Sequence, residues 1–347
     1  MGIFDIFKRK EKLGIGIDIG STGIKIAITT PTKSGGYRIK NIIHRSLPPG
    51  VVDKGNILDP ERLISALKSV KGKIPPGTVS YAFSPYKTTL FSFRLIKEVK
   101  EIDKAVYKEL SYRIPLPLSE LSVDYDYITK EDGTKIVTVI VGKKKSIEDV
   151  VGLMEEAGIK VDSVTSSYTA IANVALLGFA DILGKACGMI VDMGHSMCCC
   201  VCINSGILTH GGCIEDGTRL IEEVVANNLS APLEEVREKI LSCDVPSELL
   251  DQALFRFFDR ILGEIDAYST LCQSETPVPC EEFHIIGTGG GSAVCEMCER
   301  ISMHMGKPYP VKILDPLSIF EMDPNVMERL ERLGSTRFTV ALGASLI

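Results

Sequence analysis

Two short motifs carry the same chemistry. Asp18-Ile19-Gly20-Ser21-Thr22 and Asp192-Met193-Gly194-His195-Ser196 lie 174 positions apart in a chain of 347 residues. Each follows an apolar run, Gly14-Ile15-Gly16-Ile17 in the first and Gly188-Met189-Ile190-Val191 in the second. Glycine after the aspartate lets the backbone turn tightly and approach a ligand without a Cβ in the way. The N–H groups that follow, with the hydroxyls of Ser21, Thr22 and Ser196, can donate to phosphate oxygens. Gly23 and Lys25 extend the first site. An aspartate placed there repels a bare phosphate and suits a hydrated Mg²⁺, so Asp18 and Asp192 are the candidate metal residues, acting through water. A third stretch, Gly287-Thr288-Gly289-Gly290-Gly291-Ser292, is bare enough for its backbone to lie against a flat ring such as adenine. His195 can donate to phosphate or serve as a bulky turn residue.

The elements that must hold these turns follow from pattern. Each motif joins two β-rich runs, with a third behind a further turn. The runs are 14–17, 24–29 and 37–44 in the first half, and 188–191, 197–203 and 207–210 in the second. Two such meanders half a chain apart predict two similar lobes facing one cleft. Asp59-Pro60-Glu61 opens a helix with an N-cap and an N1 proline. Ser146 is the expected cap of another, stopped at Gly158. Small-residue helices are expected over 168–177 and 340–346, helices over 217–229, 233–241, 247–273 and 324–333, and strands over 283–286 and 337–339. The segment 95–143 breaks the lobe pattern: a helix, the turn Ile114-Pro115-Leu116-Pro117, and two strands joined at Glu131-Asp132-Gly133-Thr134 read as an inserted subdomain.

Charge and cysteine usage exclude some classes. The formal charge of -6 argues against a nucleic-acid binder held by a basic face. No run reaches the ~18 apolar residues of a membrane helix. The 11 cysteines come without a secretion signal and read as reduced thiols. Alternation on a strand sends Cys198, Cys200 and Cys202 to one face and Cys199 to the other, as buried filler. The lone Cys295–Cys298 spacing, with His304 nearby, leaves a metal or redox role open. Residues 1–12 combine Ile3, Phe4, Ile6 and Phe7 with Lys8, Arg9, Lys10 and Lys12. That tail suits weak attachment to an anionic membrane or a partner groove, or else a frayed, charged terminus.

The three glycine turns, in this order and spacing, resemble the actin/Hsp70/sugar-kinase ATPase superfamily. The resemblance implies an α/β, two-lobed, ribonuclease H-like fold, with ATP and Mg between the lobes. In that pattern Asp18, Gly20, Ser21 and Thr22, with Asp192, Gly194 and Ser196, clamp the phosphates. Gly287, Gly289, Gly290, Gly291 and Ser292 lie on the adenosine, and the helices 168–177 and 340–346 are the inter-lobe connectors. The 95–143 insert, with Arg113-Ile-Pro-Leu-Pro-Leu118 and Val123-Asp-Tyr125, and the run from Val191 through Gly211-Gly212 into the helix 217–229 are similar to the PilM family of type IV pilus and type II secretion assembly. FtsA, the actin-like division protein, is a relative of that family. The implied organisation is a first lobe over 13–94 and 144–185, to which 334–347 return, the insert at 95–143, and a second lobe over 186–333 with its subdomain at 214–282. The implied partner is the short cytoplasmic tail of PilN, docked near Ile114, Leu116 and Leu118, along with other inner-membrane pilus proteins. The location implied is the cytoplasmic face of the inner membrane, with peripheral membrane contact and self-association left open. Glu235 and Lys239, i and i+4 on one helix, are candidates for the ribose and adenine, or a solvated ion pair.

One departure bears on turnover. Relatives that hydrolyse ATP place Glu or Gln before the first connector to orient water. Here the stretch is Thr165-Ser166-Ser167-Tyr168-Thr169-Ala170. Binding with weak or no ATPase activity is expected, and no catalytic residue is assigned. The alternatives are an FtsA-like polymerising protein and a small-molecule kinase. For the kinase the insert is short and a general-base aspartate is not found.

Overall fold

The computed structural model describes residues 13–99, 101–242, 244–274, 282–293 and 311–347. The amphipathic tail 1–12 and the Cys295–Cys298 pair with His304 lie outside the described residues.

The first lobe opens on β1 (Gly14–Gly20), β2 (Gly23–Pro31) and β3 (Tyr37–Ser46), followed by the small hairpin β4 (Val52–Asp53) and β5 (Asn56–Ile57). Alternation explains the sheet. Ile15, Ile17 and Ile19 of β1 and Ile24, Ile26 and Ile28 of β2 are buried on one face, against α1 (Pro60–Lys71). Gly14, Gly16 and Asp18 therefore point to the other face. Asp59 caps α1, accepting from the Arg62 N–H at 3.0 Å, with Pro60 in the first turn. β6 (Thr78–Phe83) pairs parallel to β1.

The insert follows. β7 (Thr88–Leu95) leads to α2 (Ile102–Arg113), then β8 (Leu121–Thr129) and β9 (Lys135–Lys143). β9 pairs with β7 on one side and β8 on the other, over a small core of Phe91, Val106, Leu110, Val137 and Val139. β9 then runs directly into α3 (Lys144–Glu156), whose cap position is Lys143. The expected cap, Ser146, is thus inside the helix, because the chain turns helical where the strand ends. Gly158, with φ of +77°, stops α3 as expected. β10 (Ser163–Ser166) pairs with β6, and Ser166 caps α4 (Ser167–Gly178) through the Thr169 N–H.

The short α5 (Ala180–Leu183) leads to the second lobe, which repeats the first. β11 (Cys187–Met193), β12 (Cys198–Asn204) and β13 (Ile207–Ile214) form the meander. α6 (Arg219–Leu229), α7 (Leu233–Leu241) and α8 (Ser247–Ser274) precede β14 (Phe283–Thr288), which pairs parallel to β11. So β6–β1–β2–β3 and β14–β11–β12–β13 have one arrangement of parallel and antiparallel neighbours, as the internal repeat requires. β15 (Val311–Ile313) and β16 (Glu321–Met322) complete the two sheets. The sheet of the second lobe also continues into the insert, through Gly211 of β13 facing Leu90 of β7. Cys198, Cys200 and Cys202 face the core under α6 and α8, and Cys199 the opposite core, as the alternation predicts. Six described cysteines are free, but Cys187 is disulfide-bonded, which corrects the expectation of uniformly reduced thiols.

At the C-terminus the expected strand 337–339 is absent. Gly334, at φ of +82°, ends the helix Pro324–Leu333, and a 3₁₀ turn, Ser335–Phe338, runs into the closing helix Thr339–Ala344. Tertiary anchors override the β-rich composition: Phe338 is fully buried and the Thr336 hydroxyl donates to Gly289 O at 2.8 Å. The closing helix and α4 are the two connectors, and small residues let them cross. A Cβ on Gly343 would lie 1.8 Å from Ala170 O, and one on Gly16 would lie 1.9 Å from Ala341 O. Gly343→Val is therefore expected to lower stability by about 3 kcal/mol or more, at the upper end of overpacking costs. Gly152→Val, inside α3 at a site with nothing within 4 Å, should leave stability unchanged or raise it slightly, since valine is the better helix former. Urea midpoints of the two variants check this.

Candidate functional site

The strand parity that buries the isoleucines carries Asp18 and Asp192 to the ends of β1 and β11, where both line one cleft between the lobes, a cavity of ≈ 290 Å³. Gly20, Ser21 and Thr22 come to it from the first hairpin, Gly194, His195 and Ser196 from the second, and Gly289, Gly290 and Gly291 from the turn after β14. Three turns from distant parts of the chain therefore meet at one place. Gly289 and Gly291 there are sterically required, a Cβ on Gly291 lying 2.5 Å from Thr218 Cγ2 and 2.9 Å from Met193 O. Gly289 has φ of +86°, and a Cβ on it would lie 2.3 Å from Asp192 Oδ1.

Lys25 Nζ donates to Asp18 Oδ2 at 2.7 Å, so the first carboxylate is paired with a nearly buried ammonium. Asp192 has no such partner. Burial, and then the Asp18 charge, push its carboxyl up to about 6, with Lys25 pulling the other way. A buried carboxylate whose proton affinity is raised by a second one nearby is a place where a divalent cation relieves repulsion. Among the described residues no group of three acidic, His or Cys side chains could hold a metal. The pair fits Mg²⁺, which keeps several waters and uses one or two carboxylates beside substrate phosphates.

His195 links the two hairpins. Its Nδ1 lies 3.4 Å from Ser21 Oγ, and its Nε2 lies 2.6 Å from Arg237 Nη2 and 3.1 Å from Glu222 Oε2. Arg237 holds Glu222 in a two-point pair, 2.8 Å at both oxygens. Arg237 and Glu222 thus hold one ring nitrogen of His195, and Ser21 lies at the other. Burial raises the Glu222 carboxyl, but hydrogen bonds from His195 and Arg237 outweigh it and hold the group below the carboxylate range. Farther along, burial and then Arg237 lower Arg337. His44 lies at the same end, its ring edge-on to Phe338. Its Nε2 has no hydrogen-bond partner.

Several residues of the sequence reading sit elsewhere. Gly23 opens β2 against the Arg45 carbonyl, and Gly287 lies within β14 between Val191 and Ile313. Gly212 is in β13, where a Cβ would strike the Tyr268 ring. The Ser292 hydroxyl donates to Gly289 O at 2.8 Å. Glu235 and Lys239 pair with each other at 2.8 Å on the outer side of α7. Arg237, from the same helix, reaches the cleft instead. The apolar positions Val236 and Ile240 mark the inward side, and reading their spacing would have pointed to it. In the insert, Ile114 packs on the local core, while Leu116 and Leu118 are exposed at 40% and 39%.

Polar contacts close the cleft mouth. Lys54 of the β4–β5 hairpin reaches Glu215 at 3.0 Å, Arg219 reaches Asp53 at 3.2 Å, and the Lys54 N–H donates to Ser196 Oγ at 3.2 Å. Nothing in sequence spacing signals these, since each joins residues more than 140 positions apart.

The family signature described as type IV pilus assembly protein PilM matches residues 16–347. Among solved structures, a PilM-PilN type IV pilus biogenesis complex superposes with a TM-score of 0.77 at 18% identity, covering 97% of this chain and 98% of that one. The ethanolamine utilization protein EutJ of Carboxydothermus hydrogenoformans gives 0.53 at 15% identity, covering 96% and 89%. MreB 5 of Spiroplasma citri, solved bound to AMPPNP, gives 0.52 at 12% identity, covering 97% and 96%. These likenesses establish the actin-like ATPase fold. No curated protein matches the sequence. No helix among the described residues is long and apolar enough to cross a membrane.

The environment of His44 sets a pH dependence. Burial, then Arg337 and Lys25, lower it from 6.5 to about 4. The unfolded chain takes up this proton first, so stability is lost as pH falls from 6.5 toward 4. The ceiling is about 3 kcal/mol. Urea titrations across that window should show the loss for the wild type and a flatter profile for His44→Gln.

Proposed function

The chain belongs to the type IV pilus assembly protein PilM family, and on that premise we propose that it is a nucleotide-binding adaptor of the pilus assembly platform. It binds Mg-ATP between its lobes and the cytoplasmic tail of a PilN-like membrane protein at its insert. The observation that carries the nucleotide reading is the meeting of the Asp18 hairpin, the Asp192 hairpin and Gly289–Gly291 on one cleft. Asp18 and Asp192 would hold the hydrated metal, which supplies charge neutralisation for the phosphates. Ser21, Thr22 and Ser196 would donate to phosphate oxygens. Arg237 and Arg337 stand at the other end, where the nucleoside would lie.

Turnover is a separate matter. Before α4, Ser166 is occupied as a helix cap and the Ser167 hydroxyl donates to Phe83 O at 3.0 Å. Neither offers a carboxylate or amide to orient water. Saturating Mg-ATP is expected to raise the melting temperature, since a ligand at a hundredfold excess over its dissociation constant adds roughly 2.7 kcal/mol. Asp18→Asn should erase most of that rise. Phosphate release should stay below about one per minute, far under the roughly 1–100 s⁻¹ of kinases. Unchanged wild-type melts would defeat the nucleotide reading.

The partner reading draws on the complex with PilN that the chain resembles and on the exposed Leu116 and Leu118 beside two prolines. Prolines hold this segment extended, and the turn leads into β8, whose outer edge ends the eight-stranded sheet. A short peptide there can combine strand-edge hydrogen bonds with burial of aliphatic side chains. The pilus inner membrane is then reached through the partner. Calorimetry with a PilN tail peptide should give a micromolar-range dissociation constant, and Leu116→Asp should weaken it about tenfold or more, corresponding to at least ~1.4 kcal/mol. Equal binding by both proteins would move the partner site away from the insert.

A further inference from the structure

Cys199 and Cys213 are direct register partners across β12 and β13, and their thiols are hydrogen-bonded to each other. Facing residues of an antiparallel pair have Cα atoms about 4.5–5.5 Å apart. That lies inside the ~4.4–6.8 Å that a disulfide spans. The two differ in surroundings. Cys199 lines the cleft and is the register partner of Asp192 on its other side. Cys213 is only half-buried, and the Tyr168 hydroxyl lies 3.6 Å from its sulfur. That hydroxyl also lies 3.2 Å from Pro85 O. Its one proton can turn from the carbonyl to the sulfur when the sulfur is negative.

We propose that Cys199 and Cys213 form an oxidisable dithiol in the wall of the cleft, closed to a disulfide by hydrogen peroxide or another small hydroperoxide. The inference does not depend on what occupies the cleft. The roles divide by environment. Cys213 is the more exposed of the two and has the Tyr168 hydroxyl beside its sulfur, whereas Cys199 is buried. Cys213 is therefore the attacking sulfur. Its thiolate forms an S–O bond to the peroxide, the O–O bond breaks, and hydroxide leaves and takes up a proton as water. Cys199 sulfur then attacks the sulfenic acid, the S–S bond forms, the S–O bond breaks, and the departing hydroxide takes the Cys199 proton as a second water. Two thiols lose two electrons and one peroxide becomes two waters.

The fold contains its own control. Cys202 and Cys272 are also hydrogen-bonded to each other, but both are fully buried. Proximity is shared by the two pairs; access to solvent is not.

The experiment uses the full chain, treated with hydrogen peroxide, quenched, unfolded and alkylated with one label before and another after reduction. Chymotryptic cleavage after Leu208 separates Cys199 from Cys213 unless a disulfide holds them. The expected result is a linked peptide pair and parallel loss of both thiols, roughly tenfold or more faster than loss of Cys202 and Cys272. Cys199→Ser should leave Cys213 as a sulfenic acid trapped by dimedone, formed at a similar rate. Loss of Cys199 and Cys213 no faster than of Cys202 and Cys272 would overturn the proposal. So would wild-type oxidation of Cys213 to the sulfinic acid without a linked peptide.

Discussion

The crossing of α4 with the closing helix fixes the rest. Gly343 meets the Ala170 carbonyl with no room for a Cβ, and Gly16 meets Ala341 in the same way. Backbone-to-backbone approach at these points brings β1 and β11 near one another at their carboxyl ends. The two aspartates share a cleft because these contacts are short. Larger residues would separate the sheets, and no adjustment of side chains around Asp18 or Asp192 could restore their relation. The packing is dense on both sides, with Ile171, Val174, Val340 and Leu342 buried in a core that reaches both lobes.

Against that rigid crossing, the cleft mouth is held by polar contacts. Lys54–Glu215 and Arg219–Asp53 are partly exposed. Such pairs typically contribute less than about 1 kcal/mol each, and salt screens them. The lobes are thus joined tightly at the connectors and weakly at the opening. That distribution suits a cleft that must admit a ligand and respond to it, since a ligand need only replace a few weak contacts to change the separation of the lobes.

The electrostatics of the cleft are graded along its length. At the hairpins, two carboxylates face each other and only one has an ammonium beside it. At the other end, burial and then the Arg237 charge lower Arg337, and Glu222 and His195 order Arg237. His195, a bulky residue where a small one suits the turn, becomes the joint between the two halves because Arg237 and Glu222 fix its ring. The dithiol Cys199–Cys213 occupies the wall one strand beyond Asp192. Its surroundings therefore include the Asp192 carboxyl, the register partner of Cys199.

The sequence by itself determined what depends on local pattern. The two Asp-x-Gly turns, the period-two burial of Ile15, Ile17 and Ile19, the split of the cysteine strand and the glycine run after β14 follow from spacing and sterics, so the repeated meander and most of the cleft's glycine frame were legible. Tertiary structure decided what depends on rotation about an element or on distant anchors. Residues 335–339 became a 3₁₀ turn and helix because Gly289 and a buried pocket hold Thr336 and Phe338, against their local β preference. Ser146 lost its capping role because β9 leads straight into α3. Arg237 rather than Glu235 or Lys239 faces the cleft, since the buried side of α7 is set by Val236 and Ile240 packing on the second lobe. Lys54, Arg219, His44 and Arg337 enter the site from segments far apart in the chain, and only the packing of one lobe on the other brings such side chains within reach.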